Sequence, residues 1–206
     1  RDRRALYSNF EGVFSVASTS PYLPLSASID LPKVEHEVLD FWQTQDIFHS
    51  SVRMRQGGQS WTFYEGPPTA NGLPGTHHIE ARVFKDVFPR YQTMKGKYVI
   101  RKAGWDCHGL PVEIAVEKEL GFSGKGDIEK FGIAAFNEKC RQSVQRHVGA
   151  FTEMTERMGF WVDFDQAYWT MSNEYIESVW WSLAQIHSKG LLVQDYRVAP
   201  YCPRCG

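Results

Sequence analysis

The sequence predicts an α/β fold built on a parallel sheet. Three observations carry this expectation. WTFY (61–64) and KYVIRKAGWD (97–106) are aromatic or β-branched runs that each lead into a loop or turn containing glycine. Each is followed by residues with helical spacing, from Thr76 to about Met94 and from Leu110 to Leu120. Strand, helix, strand, helix is the order of parallel βα units.

Arg1 to about Leu31 is Ser-rich and carries Pro21 and Pro24, which reads as an extended or disordered arm (1–31). A helical segment follows (32–56). Val34, Val38, Phe41 and Trp42 recur at helical spacing, with Asp30 or Leu31 near the N-cap and Pro32 in the first turn. The α/β domain is expected over 57–200. In its first helix Ile79, Val83 and Val87 share a face, and Pro89 is expected to kink or break the helix. Phe136, Cys140, Val144, Val148, Phe151, Met154 and Met158 form one long helical stripe to pack on the sheet. Ser172 is a cap for a helix over 174–189 that ends at Gly190. LLVQDYRVAPY (191–201) is a third strand candidate. The aromatic group from Phe160 to Trp169 reads as core packing, and Trp180-Trp181 as core or a domain contact.

Bulk properties exclude little. The chain has 206 residues and a net charge of −1, so no overall basic charge points to nucleic acid. No run is apolar enough to span a membrane, and the first twenty residues lack the pattern of a signal peptide. Four cysteines do not make a disulfide framework at this length and suit a reducing compartment. The absent initiator Met and the end one residue after Cys205 read as the marks of a fragment.

Three constellations could carry chemistry. The first is EGPPTANGLPGTHHIEAR (65–82), a Gly/Pro/Asn loop running into a helix. Such a loop lets backbone approach a ligand, and the helix start favours an anion. His77 and His78 at that start could stabilise phosphate charge, or simply cap the helix. The second is GWDCHGLP (104–111), after a strand, where open α/β sheets bind ligands. Asp106 could hold a substrate ammonium or cap the next helix, and His108 could orient it. The third is Cys202-Pro-Arg-Cys205, a knuckle (201–206) that could give two thiolates to zinc. Arg82, Arg101 and Lys102 read as solvated or structural.

Taken together, FYEGPPTANGLP, KDVFPRYQTMKGKYV, AGWDCHGLPVE, MGFWVDF, YIESVWW and PYCPRCG occur in the order in which they occur in isoleucyl-tRNA synthetases. From about Leu31 to Gly206 the chain resembles the N-terminal part of that family; leucyl and valyl relatives share less of GWDCHGLP. The resemblance implies a class I aminoacyl-tRNA synthetase, with the first half of a Rossmann-type, doubly wound parallel sheet. It implies isoleucine activation with ATP and Mg2+, transfer to tRNA(Ile), a cytoplasmic location, a monomer when complete, and half of a zinc site at Cys202 and Cys205. By position, Gly66, Pro67 and Asp106 would bind the amino acid. Pro68, Asn71, Gly75, Thr76, His77 and His78 would face ATP, with His77 and His78 catalytic.

The family signature HxGH departs here. Its slot holds Gly75-Thr76-His77-His78, so the first and third residues are exchanged. The expectation is that His77 takes over the contact that Gly75 cannot make, and that inhibitors seated on the usual signature bind less well. A KMSKS-like second signature and an editing domain do not occur in these residues, so the segment alone is expected to be inactive. The alternatives are an independent, non-catalytic binding domain derived from a synthetase, or a leucyl or valyl relative.

Overall fold

A computed structural model describes residues 28–201, in two compact units that divide after Asp40. The arm up to residue 27, and Cys202 and Cys205 of the expected zinc knuckle, lie outside the described residues. In the first unit Asp30 caps helix α1 (Leu31–Thr44). Its carboxylate accepts the Lys33 N–H at 3.2 Å and its carbonyl accepts the Val34 N–H at 3.1 Å. In the second unit Asp46 adopts a left-handed conformation, tolerable for a short polar side chain, and starts α2 (Ile47–Arg53).

The sheet is parallel, as expected. Strand β1 (Lys102–Trp105) pairs with β2 (Asp163–Trp169), with a bulge between Lys102 and Gly104. On the other side of β1 the 59–68 segment is joined to the 98–106 stretch at its two ends. Ser60 bridges Tyr98, and the Asp106 N–H donates to the Pro68 carbonyl at 2.9 Å. One peptide bond proves the order: the Trp105 carbonyl accepts from Thr170 while the Asp106 N–H reaches Pro68 on the opposite side. The end of β1 in this two-stranded sheet therefore has β2's chain on one side and Pro68 on the other.

Three strand expectations need correction. Residues 61–64 form no strand, Trp61 alone donating its N–H to the Tyr98 carbonyl beside the bridge at Ser60, and 97–106 shortens to β1. The strand that pairs with β1 is β2, not 191–201. Its polar Asp163, Asp165 and Gln166 hid the strand pattern among the aromatics. Residues 192–201 make no backbone hydrogen bond to the sheet among the described residues, and Tyr196 and Val198 are fully exposed. A strand needs a neighbour, and composition does not supply one.

Helix α3 (Thr76–Met94) continues through Pro89 rather than breaking there. The face shared by Ile79, Val83 and Val87 is exposed, beside Phe84, Phe88 and Tyr91. The inner face is Arg82, Pro89 and Thr93, held by polar contacts instead. Arg82 Nε donates to Thr155 Oγ1 at 2.9 Å, Arg90 to the Gly159 carbonyl at 2.8 Å, and Arg101 to Thr93 Oγ1 at 2.6 Å. Arg82 and Arg101 are thus buried and structural, while Lys102 is exposed.

Helix α4 (Leu110–Leu120) ends at a left-handed Gly121, and α5 (Lys125–Phe131) follows. The long stripe is two helices, α6 (Ile133–Gln145) and α7 (Val148–Arg157), broken at Arg146 and His147. The stripe nevertheless faces one core across the break. Val144 and Phe151 are buried with Ala70, Trp105, Cys107 and Val112, and Cys140, Val148 and Met154 pack on them. Each such Val or Phe contributes about 1.5–3 kcal/mol. Met158 joins a second cluster around Ala103, Phe160 and Val162. Helix α8 (Asn173–Ser188) starts at Ser172, whose hydroxyl accepts the Tyr175 N–H. Trp180 and Trp181 are about two-thirds exposed, so neither belongs to the core of the described residues.

Candidate functional site

The loop after the 59–65 segment is held through its carbonyls. Tyr168 of β2 donates its hydroxyl to the Glu65 carbonyl at 2.8 Å. Lys85 of α3 donates to the Gly66 carbonyl at 2.7 Å and pairs with the Glu65 carboxylate. The Asp106 N–H takes the Pro68 carbonyl. Pro67 and Pro68 have no N–H of their own, so carbonyls are what this turn offers for anchoring. Farther along, Asn71 Nδ2 donates to the Pro111 carbonyl at 2.9 Å and ties the loop to the start of α4.

Asp106 stands at the end of β1, half-buried beside that loop. Thr69 donates its hydroxyl to Asp106 Oδ2 at 3.1 Å, and Oδ1 accepts the His108 N–H at 3.3 Å. It does not cap α4, whose N-cap is Gly109. The carboxylate is oriented by neutral donors and has no cation bonded to it among the described residues. His108 is exposed, with Nδ1 3.3 Å from Thr170 Oγ1, which also accepts the Cys107 N–H.

The histidine pair starts α3. Gly75 is the N-cap, in extended conformation, and Thr76 and His77 are exposed. His78 Nδ1 accepts the Gly75 N–H at 2.9 Å, so the neutral ring carries its proton on Nε2. The ring stands edge-on to Phe151 at 4.8 Å, and Arg82 donates to the His78 carbonyl. Burial first, then the charges of His77 and Arg82, hold the His78 imidazole below its ordinary value. The His77 ring lies 3.9 Å from the His78 ring, centroid to centroid. It also folds back over Gly75: a Cβ there would stand 3.0 Å from His77 Cε1 and 3.1 Å from Nδ1.

The structure therefore joins Gly66, Pro67, Pro68 and Asp106 into one group and Gly75 to His78 into another. Both rest on the same core, since Ala70 shares a cluster with Phe151, whose ring supports His78. Sequence reading missed Thr69, Lys85 and Tyr168. Lys85 stands in a mixed-charge helix and Tyr168 in an aromatic run, so neither carried a local signal. A cleft of about 610 Å³ opens along the 60–65 segment, walled by Trp61, Phe63, Tyr98, Lys102, Tyr168 and Tyr175. Cys107 and Cys140 are free thiols, and no group of three His, Cys, Asp or Glu suits a metal among the described residues. No described helix is long and apolar enough to cross a membrane.

The family described as tRNA synthetases class I (I, L, M and V) matches residues 37–206. The isoleucine–tRNA ligase of Thermobifida fusca is 69% identical over 192 residues, 93% of this chain and 18% of that protein. The isoleucine–tRNA ligase of Thermus thermophilus is 54% identical over 177 residues, 86% of this chain and 17% of that protein. The chain thus spans less than a fifth of the length of these relatives. Among solved structures, the LeuRS–tRNA–LeuAMS ternary complex of Agrobacterium radiobacter matches with a TM-score of 0.50 and 21% identity, over 80% of this chain and 18% of that one. That likeness is one of fold. With the family match over 170 of 206 residues (206 − 37 + 1 = 170) and the loop, Asp106 and histidine pair disposed around one parallel sheet, the chain belongs to the class I tRNA synthetases and resembles isoleucine–tRNA ligases over most of its length.

Proposed function

We propose that this segment is the first half of a doubly wound catalytic domain that activates isoleucine with ATP and passes it to tRNA(Ile). The observation that carries the proposal is Asp106 itself, whose N–H holds the Pro68 carbonyl and whose carboxylate accepts from Thr69 of the same loop, within one loop of a histidine at a helix start. The substrate ammonium bonds Asp106, with Gly66 and Pro67 beside it. Pro68, Asn71 and the first turn of α3 face ATP, which enters with Mg2+ to neutralise its phosphate charge. The isoleucine carboxylate oxygen attacks the α-phosphorus, the mixed anhydride forms, and pyrophosphate leaves with the electron pair of the broken P–O bond. His78 Nε2–H and the α3 N–H groups donate hydrogen bonds to the phosphate oxygens as charge builds there. A 3′-terminal ribose hydroxyl of the tRNA then attacks the isoleucyl carbonyl carbon, the ester forms, and AMP leaves as the mixed-anhydride C–O bond breaks, the hydroxyl proton passing to solvent or phosphate. His77 supplies the phosphate contact that Gly75 cannot. The same reading places the whole protein in the cytoplasm as a monomer and gives Cys202 and Cys205 two positions of a zinc site, on their spacing alone.

Isoleucine-dependent ATP–pyrophosphate exchange by the full reading frame that contains this segment tests the proposal. Asp106→Asn removes a charge-assisted bond of about 1.5–3 kcal/mol and should raise the isoleucine KM roughly 10- to 150-fold. Exchange driven by leucine or valine instead of isoleucine would refute the substrate. No exchange with any amino acid would leave a binding domain without catalysis.

A further inference from the structure

We propose that Lys85 is the positioning residue of the amino-acid subsite: its ammonium clamps the Glu65 carboxylate and the Gly66 carbonyl, and so fixes the turn that faces the substrate beside Asp106. The inference rests on the function proposed above and assigns a role to Lys85, the first residue of the KDVFPRYQTMKGKYV stretch, to which no role is given above.

The geometry comes first. Three carbonyls of the turn are each held by a different element: Glu65 by Tyr168 of β2, Gly66 by Lys85 of α3, and Pro68 by the backbone after β1. Only the middle one is held by a charged side chain. Lys85 also lies on the helix that the loop itself leads into, ten positions beyond Gly75 (85 − 75 = 10). Its bond therefore closes the loop on itself and ties the orientation of Gly66 to that of the histidine-bearing helix.

Charge explains why the donor is a lysine. The Glu65 side chain is only 6% exposed, and its Oε2 has no hydrogen-bond partner in the protein. A carboxylate so placed requires a cation, and Lys85 is the one that touches it. The requirement is mutual. Lys85 Nζ would stand 3.9 Å from a Cβ at Gly66, directly behind the residue that receives the substrate. An uncompensated ammonium there would repel the substrate ammonium. Glu65 cancels it, and Asp106 is left as the negative charge that the amino acid meets. The pair thus supplies position while adding no net charge behind Gly66.

The test uses Lys85→Met, Lys85→Arg and Glu65→Gln in the full reading frame, with exchange kinetics and amide hydrogen exchange. Lys85→Met should raise the isoleucine KM about tenfold or more and move the ATP KM by less than about threefold. Lys85→Arg, which keeps charge and donors, should recover most of the loss. Glu65→Gln should also raise the isoleucine KM, because it frees the Lys85 charge. The Asp106 amide, bonded to the Pro68 carbonyl, should exchange about tenfold faster in Lys85→Met while α7 amides are unchanged. Equal rises in both KM values, or an isoleucine KM that does not move, would overturn the proposal. So would an unchanged Asp106 amide, and this readout needs no activity. If the unmodified protein lacks isoleucine-dependent exchange, the functional reading fails and the amide result alone decides the clamp. Should Lys85→Met not fold, Lys85→Leu is read the same way, since it too removes both the donor to Gly66 and the charge that Glu65 meets.

Discussion

The imidazole of His77 occupies the space that a side chain at Gly75 would need. A Cβ on Gly75 would meet His77 Cε1 at 3.0 Å and Nδ1 at 3.1 Å, tight enough that the exposed His77 ring must give by a few tenths of an ångström. The exchange of residues within the signature is thus mutual in space: one position vacates what the other fills. Gly75→His alone should lower ATP-dependent adenylate formation more than the double substitution Gly75→His/His77→Gly, with a coupling of about 1–3 kcal/mol in the ATP KM. Additive effects, read by pyrophosphate exchange, would show that the two positions do not share this space. The double variant should also gain affinity for inhibitors that bind the usual signature; unchanged affinity would mean that the exchange is neutral for them.

Gly104 is the second steric constraint. A Cβ there would lie 2.4–2.8 Å from the Tyr168 ring and hydroxyl. That ring also holds the Glu65 carbonyl and stacks on Tyr175 at 5.6 Å. Gly104→Ala should cost about 1–3 kcal/mol of stability by overpacking. Tyr168→Ala in the same chain should relieve the clash, while Tyr168→Phe should not, because the contacting ring atoms remain. Urea titration of the three variants gives the answer.

The buried guanidinium of Arg101 makes a third prediction. It is 1% exposed, lies 3.7 Å from Asp86, and stacks near Trp161 and Phe48. Burial pulls its pKa down to about 10, and the nearby Asp86 charge acts to raise it. Asp86 also accepts from Arg90 at 2.7 Å. Asp86→Ala strands both cations and should cost about 3–5 kcal/mol. Adding Arg101→Met should restore much of that loss. A single-variant midpoint close to the unmodified value would mean that water reaches these groups.

His78 sets a pH dependence. Its folded-state value lies below the ordinary 6.5, chiefly because of burial. As pH falls, the unfolded chain takes up the proton first. The contribution of His78 is therefore complete above about pH 6.5 and is lost as pH drops through the folded value. The melting temperature should fall more steeply between pH 7 and 5 in the unmodified protein than in His78→Asn, whose amide oxygen can still accept the Gly75 N–H. Parallel curves would count against a neutral, buried imidazole.

Much of this protein was legible before any coordinates. Local chemistry determined the caps at Asp30 and Ser172, the helices from Thr76 and Leu110, the loop from Gly66 to Gly75, and the carboxylate at Asp106. These follow from spacing and from single-residue preferences, which act within a few positions. Tertiary structure decided what depends on distant partners. Helix α3 turned its apolar stripe outward because Arg82, Arg90 and Thr93 found polar partners in Thr155, Gly159 and Arg101. The strand beside β1 formed at 163–169, where β1 could pair with it, rather than in the more apolar 191–201. Lys85 and Tyr168 joined the loop from 19 and 103 residues away. A hydrogen bond across that separation leaves no trace in local pattern, because its geometry exists only once the sheet has set the two chains side by side.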